Sequence, residues 1–391
     1  MRVLVLATDL YSRSGIARYT STLATSLGNL LGPENVEVLC FFSWGEQVGD
    51  ARPFRVTGMV SDRQRADTLP MGRYLKRAVG AGFRGYDLVI ANHVALAPVA
   101  GLLKFLFGTP YWVACHSVEI WWGTSRLRRA ALKRASVIVP VSQYTAEIIK
   151  TIEGVDGSRV KVLYNAIPDA FDRSLCAVGE RRGKDGPRIL SVCNLVRGNE
   201  FKGVDTVIRC LPAILKVLPN LRYAVVGEGE IRADLERLAA EIGVAASVEF
   251  LGEISDEELA RQYRDCNVFV LPSRGQQRGE IGGEGFGRVY VEAAFAGKPV
   301  VGSIAGGAAE AVVHGKTGFL VDPNSTEDVT RAARDILLDR ELATRLGVEG
   351  RKWALEKFSE EALSRSLRGL LGLGGARAEA GPTLAHAGGR P

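Results

Sequence analysis

Two glutamates eight positions apart, Glu284 and Glu292, flank the change from a glycine-rich loop to a helix, and these residue types suggest chemistry most directly. The stretch reads Gly282-Gly-Glu-Gly-Phe-Gly-Arg-Val-Tyr-Val-Glu-Ala-Ala-Phe-Ala-Gly-Lys-Pro299. Its glycines end by Gly287, the pattern predicts a helix over 288–296, Gly297 caps it, and Lys298-Pro299 leads into a strand. Backbone N–H groups of Gly285, Phe286 and Gly287, together with the positive end of the helix dipole, can receive a phosphate. The two carboxylates can then accept hydroxyl hydrogen bonds on either side of a diphosphate. A bare pair with this spacing is more often two solvated glutamates at a helix start, so the surrounding pattern decides.

Other candidates sit where strands end. Lys202 follows the first strand of the second half, which lets its ammonium reach a cleft, and Arg197 lies in the loop just before it. His116 ends a strand and opens a polar loop, His93 follows another strand, and His314 reads as part of a turn. Gly15 sits between the first strand and the first helix, where a missing side chain permits close approach to a phosphate or sugar.

The elements that must position these residues alternate between short β-branched runs and amphipathic helices, the pattern of parallel sheets wrapped by helices. Strands are predicted over 2–7, 36–41, 88–91, 111–115, 137–141 and 161–164, then again over 188–192, 223–226, 247–250, 268–271, 299–302 and 319–321. Helices are predicted over 15–31, 142–152, 326–338, 341–355 and 359–371. The expected fold is α/β, with two doubly wound Rossmann-like domains facing across a cleft and the C-terminal helix crossing back to the first. Expected bounds are 1–177 and 188–358 for the domains, a polar linker over 178–187, the helix 359–371, and a disordered tail over 372–391. Such folds bind ligands beyond the carboxyl ends of their strands.

Composition sets the limits. With 391 residues, 46% hydrophobic and 24% charged, the chain is an ordinary globular protein with room for two or three cores. Six cysteines without close pairs read as reduced residues of a cytosolic protein. The N-terminus reads as a buried strand rather than a signal peptide, and the longest apolar run is too short to span a bilayer. The net charge of +6 is uneven: residues 1–180 hold 21 basic and 15 acidic side chains, and residues 181–391 hold 29 of each. The excess gathers around Arg63, Arg65, Arg73, Lys76 and Arg77, and in the stretch from Trp121 and Trp122 to Arg134. Tryptophans beside a basic helix suit an anionic membrane surface. No base-reading motif accompanies them, so no nucleic-acid partner is expected.

The segment Glu284-Gly-Phe-Gly to Glu292-Ala resembles the retaining glycosyltransferases of family 4, whose fold is called GT-B. Further likenesses follow in order: Ser14-Gly15-Ile16-Ala17-Arg18-Tyr19, Phe201-Lys202-Gly203, Val225-Val226-Gly227-Glu228-Gly229, Phe250-Leu251-Gly252 and Gly315-Lys316-Thr317-Gly318-Phe319. The resemblance implies a nucleotide-diphosphate sugar as donor, with Lys202, Gly15 and the amides of 285–287 on its diphosphate. It further implies Glu284 on sugar hydroxyls, Glu292 on ribose, His116 at the reacting centre, and Gly252 to Ile254 as the rim around the base. Relatives usually carry an arginine where Asn194 stands, a departure that Arg197 could offset from its longer loop.

No Asp-x-Asp motif is present, so neither an obligatory metal nor another cofactor is expected. The resemblance favours GDP-mannose over UDP-glucose or UDP-N-acetylglucosamine, and a glycan or lipid-linked acceptor in cell-surface polysaccharide or glycolipid synthesis. The expected location is cytoplasmic, peripheral on the inner face of the membrane. Two other readings stay open: an epimerase or phosphorylase on the same fold, and an inactive sugar-nucleotide-binding protein.

Overall fold

The computed structural model describes residues 1–12, 14–43, 52–62, 70–121, 123–176, 186–275 and 283–373. Arg63, Arg65, Trp122, most of the expected linker and the tail beyond 373 lie outside the described residues. Six parallel strands form the first sheet: β1 (Val3–Ala7), β2 (Val36–Ser43), β3 (Arg55–Asp62), β4 (Leu88–Ala91), β5 (Tyr111–Cys115) and β6 (Val137–Pro140). Around it run α1 (Gly15–Leu31), α2 (Pro70–Gly82), α3 (Ala97–Phe107), α4 (Val118–Trp121), α5 (Arg126–Arg134), α6 (Gln143–Glu153) and α7 (Asp169–Cys176). The second sheet comprises β7 (Arg188–Val192), β8 (Arg222–Val226), β9 (Val248–Gly252), β10 (Val268–Val270), β11 (Val300–Ser303) and β12 (Gly318–Val321), again all parallel. Its helices are α8 (Val204–Leu215), α9 (Arg232–Glu241), α10 (Asp256–Asp265), α11 (Arg288–Phe295), α12 (Ala308–Ala311), α13 (Thr326–Leu338), α14 (Arg340–Phe358) and α15 (Glu360–Leu371).

Strand order is β3-β2-β1-β4-β5-β6 in one sheet and β12-β11-β10-β7-β8-β9 in the other. Both are the same doubly wound order, in which the chain reverses direction of travel beside the first strand. Ligands bind in the crevice that this reversal opens. Here the two crevices lie after β1 and β4, and after β7 and β10. Gly15, His93, Lys202 and Glu284 all follow one of these four strands.

Local chemistry explains the element ends that matter to the cleft. Ser14 caps α1 by accepting the Ala17 N–H at 3.2 Å, and Gly32 ends that helix at φ 93°. Gly287, at φ 82°, turns the chain into α11, a conformation that disfavours any side chain. One apolar core runs through both units: Leu23 and Leu27 of α1 share it with Leu363 and Leu367 of α15, and with Phe286 and Phe358. The C-terminal helix thus packs back against the first helix.

Three expectations change. Residues 161–164 form no strand; Lys161 and Leu163 donate to the Ile138 and Pro140 carbonyls, so the segment only runs alongside β6. β3 is an edge strand that the pattern hid, because its Arg-Val-Thr-Gly-Met-Val-Ser-Asp sequence mixes a glycine with polar residues and never forms an apolar run. Trp121 is 1% exposed and edge-on to Tyr144, so it is a core residue and offers nothing to a membrane.

Candidate active site

A cavity of about 560 Å³ separates the two units. Ser14, Gly15 and Arg18 line it from the first, and Asn194, Lys202, Ile254, Asp256, Glu284, Arg288 and Glu292 from the second. A second cavity of about 390 Å³ adjoins it, bounded by Ser117, Arg197 and Gly285, and shares Asn194, Lys202 and Glu284 with the first. Lys202 and Glu284 therefore stand where the two cavities meet.

Lys202 Nζ lies 2.6 Å from Glu284 Oε1, with the two side chains 20% and 10% exposed. The short helical turn Glu200–Lys202 carries the lysine, and Gly203 at φ 80° releases the chain into α8. Ser273 Oγ also donates to Glu284 Oε1, at 3.0 Å, and Tyr290 OH sits 3.4 Å behind Ser273 while donating to the Leu271 carbonyl. Burial, followed by the Glu284 charge, drives the Tyr290 phenol well above its ordinary pKa, so this hydroxyl remains a donor.

Glu292 is 3% exposed, and its carboxylate accepts from Tyr263 OH at 2.9 Å and from Arg288 Nε at 2.9 Å. Burial and the adjacent carboxylate raise the Tyr263 phenol well above the usual range. Arg288 Nη2 is buried without an acceptor among the described residues. Across the cleft, Arg18 pairs with Asp256. Burial works against its charge, but the fields of Glu292 and Asp256 and the hydrogen bond to Asp256 outweigh it, so its pKa rises.

The remaining expected residues are placed as follows. A Cβ on Gly15 would meet nothing within 4 Å, so packing does not require glycine there and the space opens to the cleft. A Cβ on Gly285 would stand 2.6 Å from the His116 carbonyl, which makes this glycine an interdomain contact point. The ring of Phe286 is held between Tyr164 at 5.6 Å and Phe358 at 5.2 Å, leaving only its backbone for a ligand. His116 is 8% exposed; its Nε2 donates to the Asn92 carbonyl at 2.7 Å, and Tyr19 meets its ring edge-on at 4.9 Å. Arg197 is 70% exposed and 3.7 Å from Asp234, on the rim of the smaller cavity. Ile254 lines the larger cavity, while Gly252, at φ 67°, uses its carbonyl to accept the Gly227 N–H at 2.9 Å.

Residues 13–171 match the family described as Glycosyltransferase Family 4, and residues 180–353 match Glycosyl transferases group 1. A GDP-mannose-dependent alpha-(1-6)-phosphatidylinositol monomannoside mannosyltransferase of Mycolicibacterium smegmatis is 35% identical over 315 residues, covering 76% of this chain and 78% of its own. The chain is a family 4 glycosyltransferase. An enzyme of the same description from Mycobacterium tuberculosis is 32% identical over 281 residues, covering 70% of this glycosyltransferase and 71% of its own chain. Among solved structures, Anabaena HepE in complex with UDP and glucose superposes with a TM-score of 0.76 at 20% identity, over 95% of this chain and 100% of its own. The lipopolysaccharide outer core galactosyltransferase WaaB gives 0.70 at 15% identity, over 95% and 99%. At these identities the superpositions establish the GT-B fold.

The glycosyltransferase also brings residues to the cleft that the sequence reading passed over. Arg18 lies three positions after Gly15 in α1, and Arg288 lies four before Glu292 in α11, spacings that place each pair on one helix face. Helical spacing could have found both. Ser273, Tyr263 and Asp256 carry no such signal, because only tertiary packing brings them to Glu284, Glu292 and Arg18 respectively.

Proposed function

We propose that the chain is a retaining hexosyltransferase that moves mannose from GDP-mannose to a lipid-linked inositol glycoside without an obligatory metal. The position of Lys202 and Glu284 at the junction of the two cavities carries this reading. The nucleotide occupies the larger cavity, with its ribose on Glu292 and its base along Gly252 and Ile254. The diphosphate lies on Lys202, the Gly15 loop and the amides of Gly285, Phe286 and Gly287, and the sugar enters the smaller cavity against Glu284. Arg288, whose Nη2 is buried beside the cleft without an acceptor among the described residues, supplies the second cation that Asn194 does not. Arg197 adds charge from the rim. With Nε2 committed to Asn92, His116 has Nδ1 left for a sugar hydroxyl.

The bond from the anomeric carbon to the diphosphate oxygen breaks with its electron pair going to that oxygen. The acceptor hydroxyl attacks the same face, and its proton passes to the departing diphosphate. Lys202, Arg288 and the α11 dipole stabilise the charge that develops there. Glu284, tied to Lys202 and Ser273, serves as a hydrogen-bond acceptor rather than a nucleophile. The names of the phosphatidylinositol mannosyltransferases support donor and acceptor.

The acceptor implies a membrane, and one surface supports docking to it. Helices α2, α3 and α5 pack side by side and carry three, one and five lysines and arginines, with no aspartate or glutamate. Phe105 at 84% exposure and Leu127 at 68% stand among these cations. Each cation near an anionic surface contributes about 1 kcal/mol. No helix of the described residues is long and apolar enough to cross a membrane.

The test incubates purified protein with GDP-mannose, UDP-glucose or UDP-N-acetylglucosamine, with and without phosphatidylinositol monomannoside and with chelator. Acceptor-dependent GDP release that survives chelation and yields an α-linked product is expected. Loss of turnover in chelator, a β-linked product or preference for a UDP-sugar overturns the corresponding part. Sedimentation with anionic but not zwitterionic vesicles at low salt tests the docking surface, and equal sedimentation with both rejects it.

A further inference from the structure

A carboxylate from the second unit crosses to the first at a point outside the donor site. Glu310, on α12, accepts the Gln143 N–H at 2.7 Å through Oε2 and the Tyr144 N–H at 2.7 Å through Oε1. These are two of the amides that the start of α6 leaves without helical partners. Tyr164 of the first unit also hydrogen-bonds to Glu310. Charge-assisted bonds to backbone amides are stronger than neutral ones. They hold only while the two units keep this separation.

The other side of α12 is fixed to Glu284. The Gly307 N–H donates to the Glu284 carbonyl at 2.6 Å, and Gly306 pairs with Glu284 in an isolated bridge. A Cβ on Gly307 would stand 2.3 Å from the Gly285 carbonyl, so the Gly306-Gly307 backbone lies directly on the loop. Tyr164, which bonds to Glu310, is also the residue whose ring meets Phe286. Two short routes, through Gly307 and through Tyr164 and Phe286, therefore join the crossing carboxylate to the backbone that carries Glu284.

We propose that Glu310 is a positioning residue that makes the placement of Glu284 depend on closure of the two domains. It lines neither cavity, and it acts by clamping the start of α6 when the cleft is shut. The inference rests on the reading that Glu284 meets the transferred sugar.

Two variants test it from opposite sides. Glu310→Ala removes the carboxylate. Gln143→Pro removes one of the N–H groups it holds, at the first position of a helix, where proline is tolerated. Ser142 already has the extended conformation, φ −155° and ψ 158°, that a following proline requires. Each single variant is expected to lower kcat about tenfold while donor KM stays within about twofold, because positioning for the reaction rather than ground-state binding is lost. The double variant should be no slower than Glu310→Ala alone. Small-angle scattering with GDP should show a wider cleft in each, at an unchanged thermal midpoint. Unchanged kcat, multiplying losses, or scattering identical to the parent overturns the proposal. If Glu284→Gln turns over normally while both variants still widen the cleft, the reading of Glu284 has failed and closure by Glu310 stands.

Discussion

Lys202 and Glu284 form an ion pair at 2.6 Å across the junction of the two cavities, so in this state each neutralises the other. If the diphosphate binds Lys202 as proposed, it draws the lysine away and leaves Ser273 on the carboxylate. The two residues should therefore respond differently. Glu284→Gln is expected to leave GDP affinity unchanged or tighter, because it frees the lysine, while turnover falls about a hundredfold. Lys202→Ala should weaken GDP at least tenfold, from the loss of one charge-assisted contact worth about 1.5–3 kcal/mol. Calorimetric titration of GDP decides the matter, and parallel losses of affinity in both variants would show that they do not divide the work this way.

Arg18 answers to two carboxylates, and that should make the Arg18–Asp256 pair unequal. Removing Asp256, 55% exposed, costs the arginine one partner. Removing Arg18 leaves both Asp256 and the buried Glu292 without their cation from the other unit. Arg18→Met is expected to weaken GDP about tenfold, and Asp256→Asn only about two- to threefold, in keeping with a partly exposed pair. The double variant should be no worse than Arg18→Met. Equal single effects, or effects that multiply, would refute the shared-cation arrangement.

The strand-ending loops were readable because the buried parallel strands are short, mainly apolar runs: β4, β5 and β7 fall on the expected bounds, and α1 and α13 do so through Ser14 and Ser325 caps. Lys202 and Glu284 were readable as candidates because glycines mark the turns that carry them, and Glu292 because it follows in the helix that the second turn opens. Edge strand β3 was hidden by its glycine and polar residues. The aromatic groups beside the basic helix are hidden from sequence for a related reason. Trp121 looked amphipathic in sequence beside a basic helix, yet α4 turns it into the core, and the exposed apolar groups among the cations are Phe105 and Leu127 instead. The cross-domain partners of Arg18 and Glu310 leave no trace in spacing, since they lie 238 and 167 or 166 positions away.

Glu153 should be a stability determinant of the first domain. Its side chain is fully buried and accepts from Thr124 N–H at 2.6 Å, Thr124 Oγ1 at 3.0 Å and Arg129 Nε at 2.8 Å. Glu153→Ala strands three donors where α5 meets α6. Arg129 is 42% exposed and can turn to water, which limits the cost. The expected loss is about 2–3 kcal/mol. Urea unfolding at pH 7 measures it, and a loss near zero would mean that water satisfies the Thr124 amide as well as the carboxylate does.

His93 predicts how stability depends on pH. Burial lowers its pKa below the ordinary 6.5, the Glu119 charge opposes this, and His116 and Arg128 add to the lowering. Its Nδ1 accepts the Ala95 N–H at 3.0 Å, a bond that needs the unprotonated nitrogen. The unfolded chain therefore takes up a proton at a higher pH than the folded one. Stability is full above pH 6.5 and is lost as the pH falls from there through the lower folded value. His93→Asn retains an acceptor for the Ala95 N–H, as asparagine caps do, and removes the titration. Thermal midpoints of parent and variant should diverge in slope over the interval that begins at pH 6.5 and runs downward, with the parent falling more steeply. Parallel curves over that interval would assign the acid sensitivity to other groups.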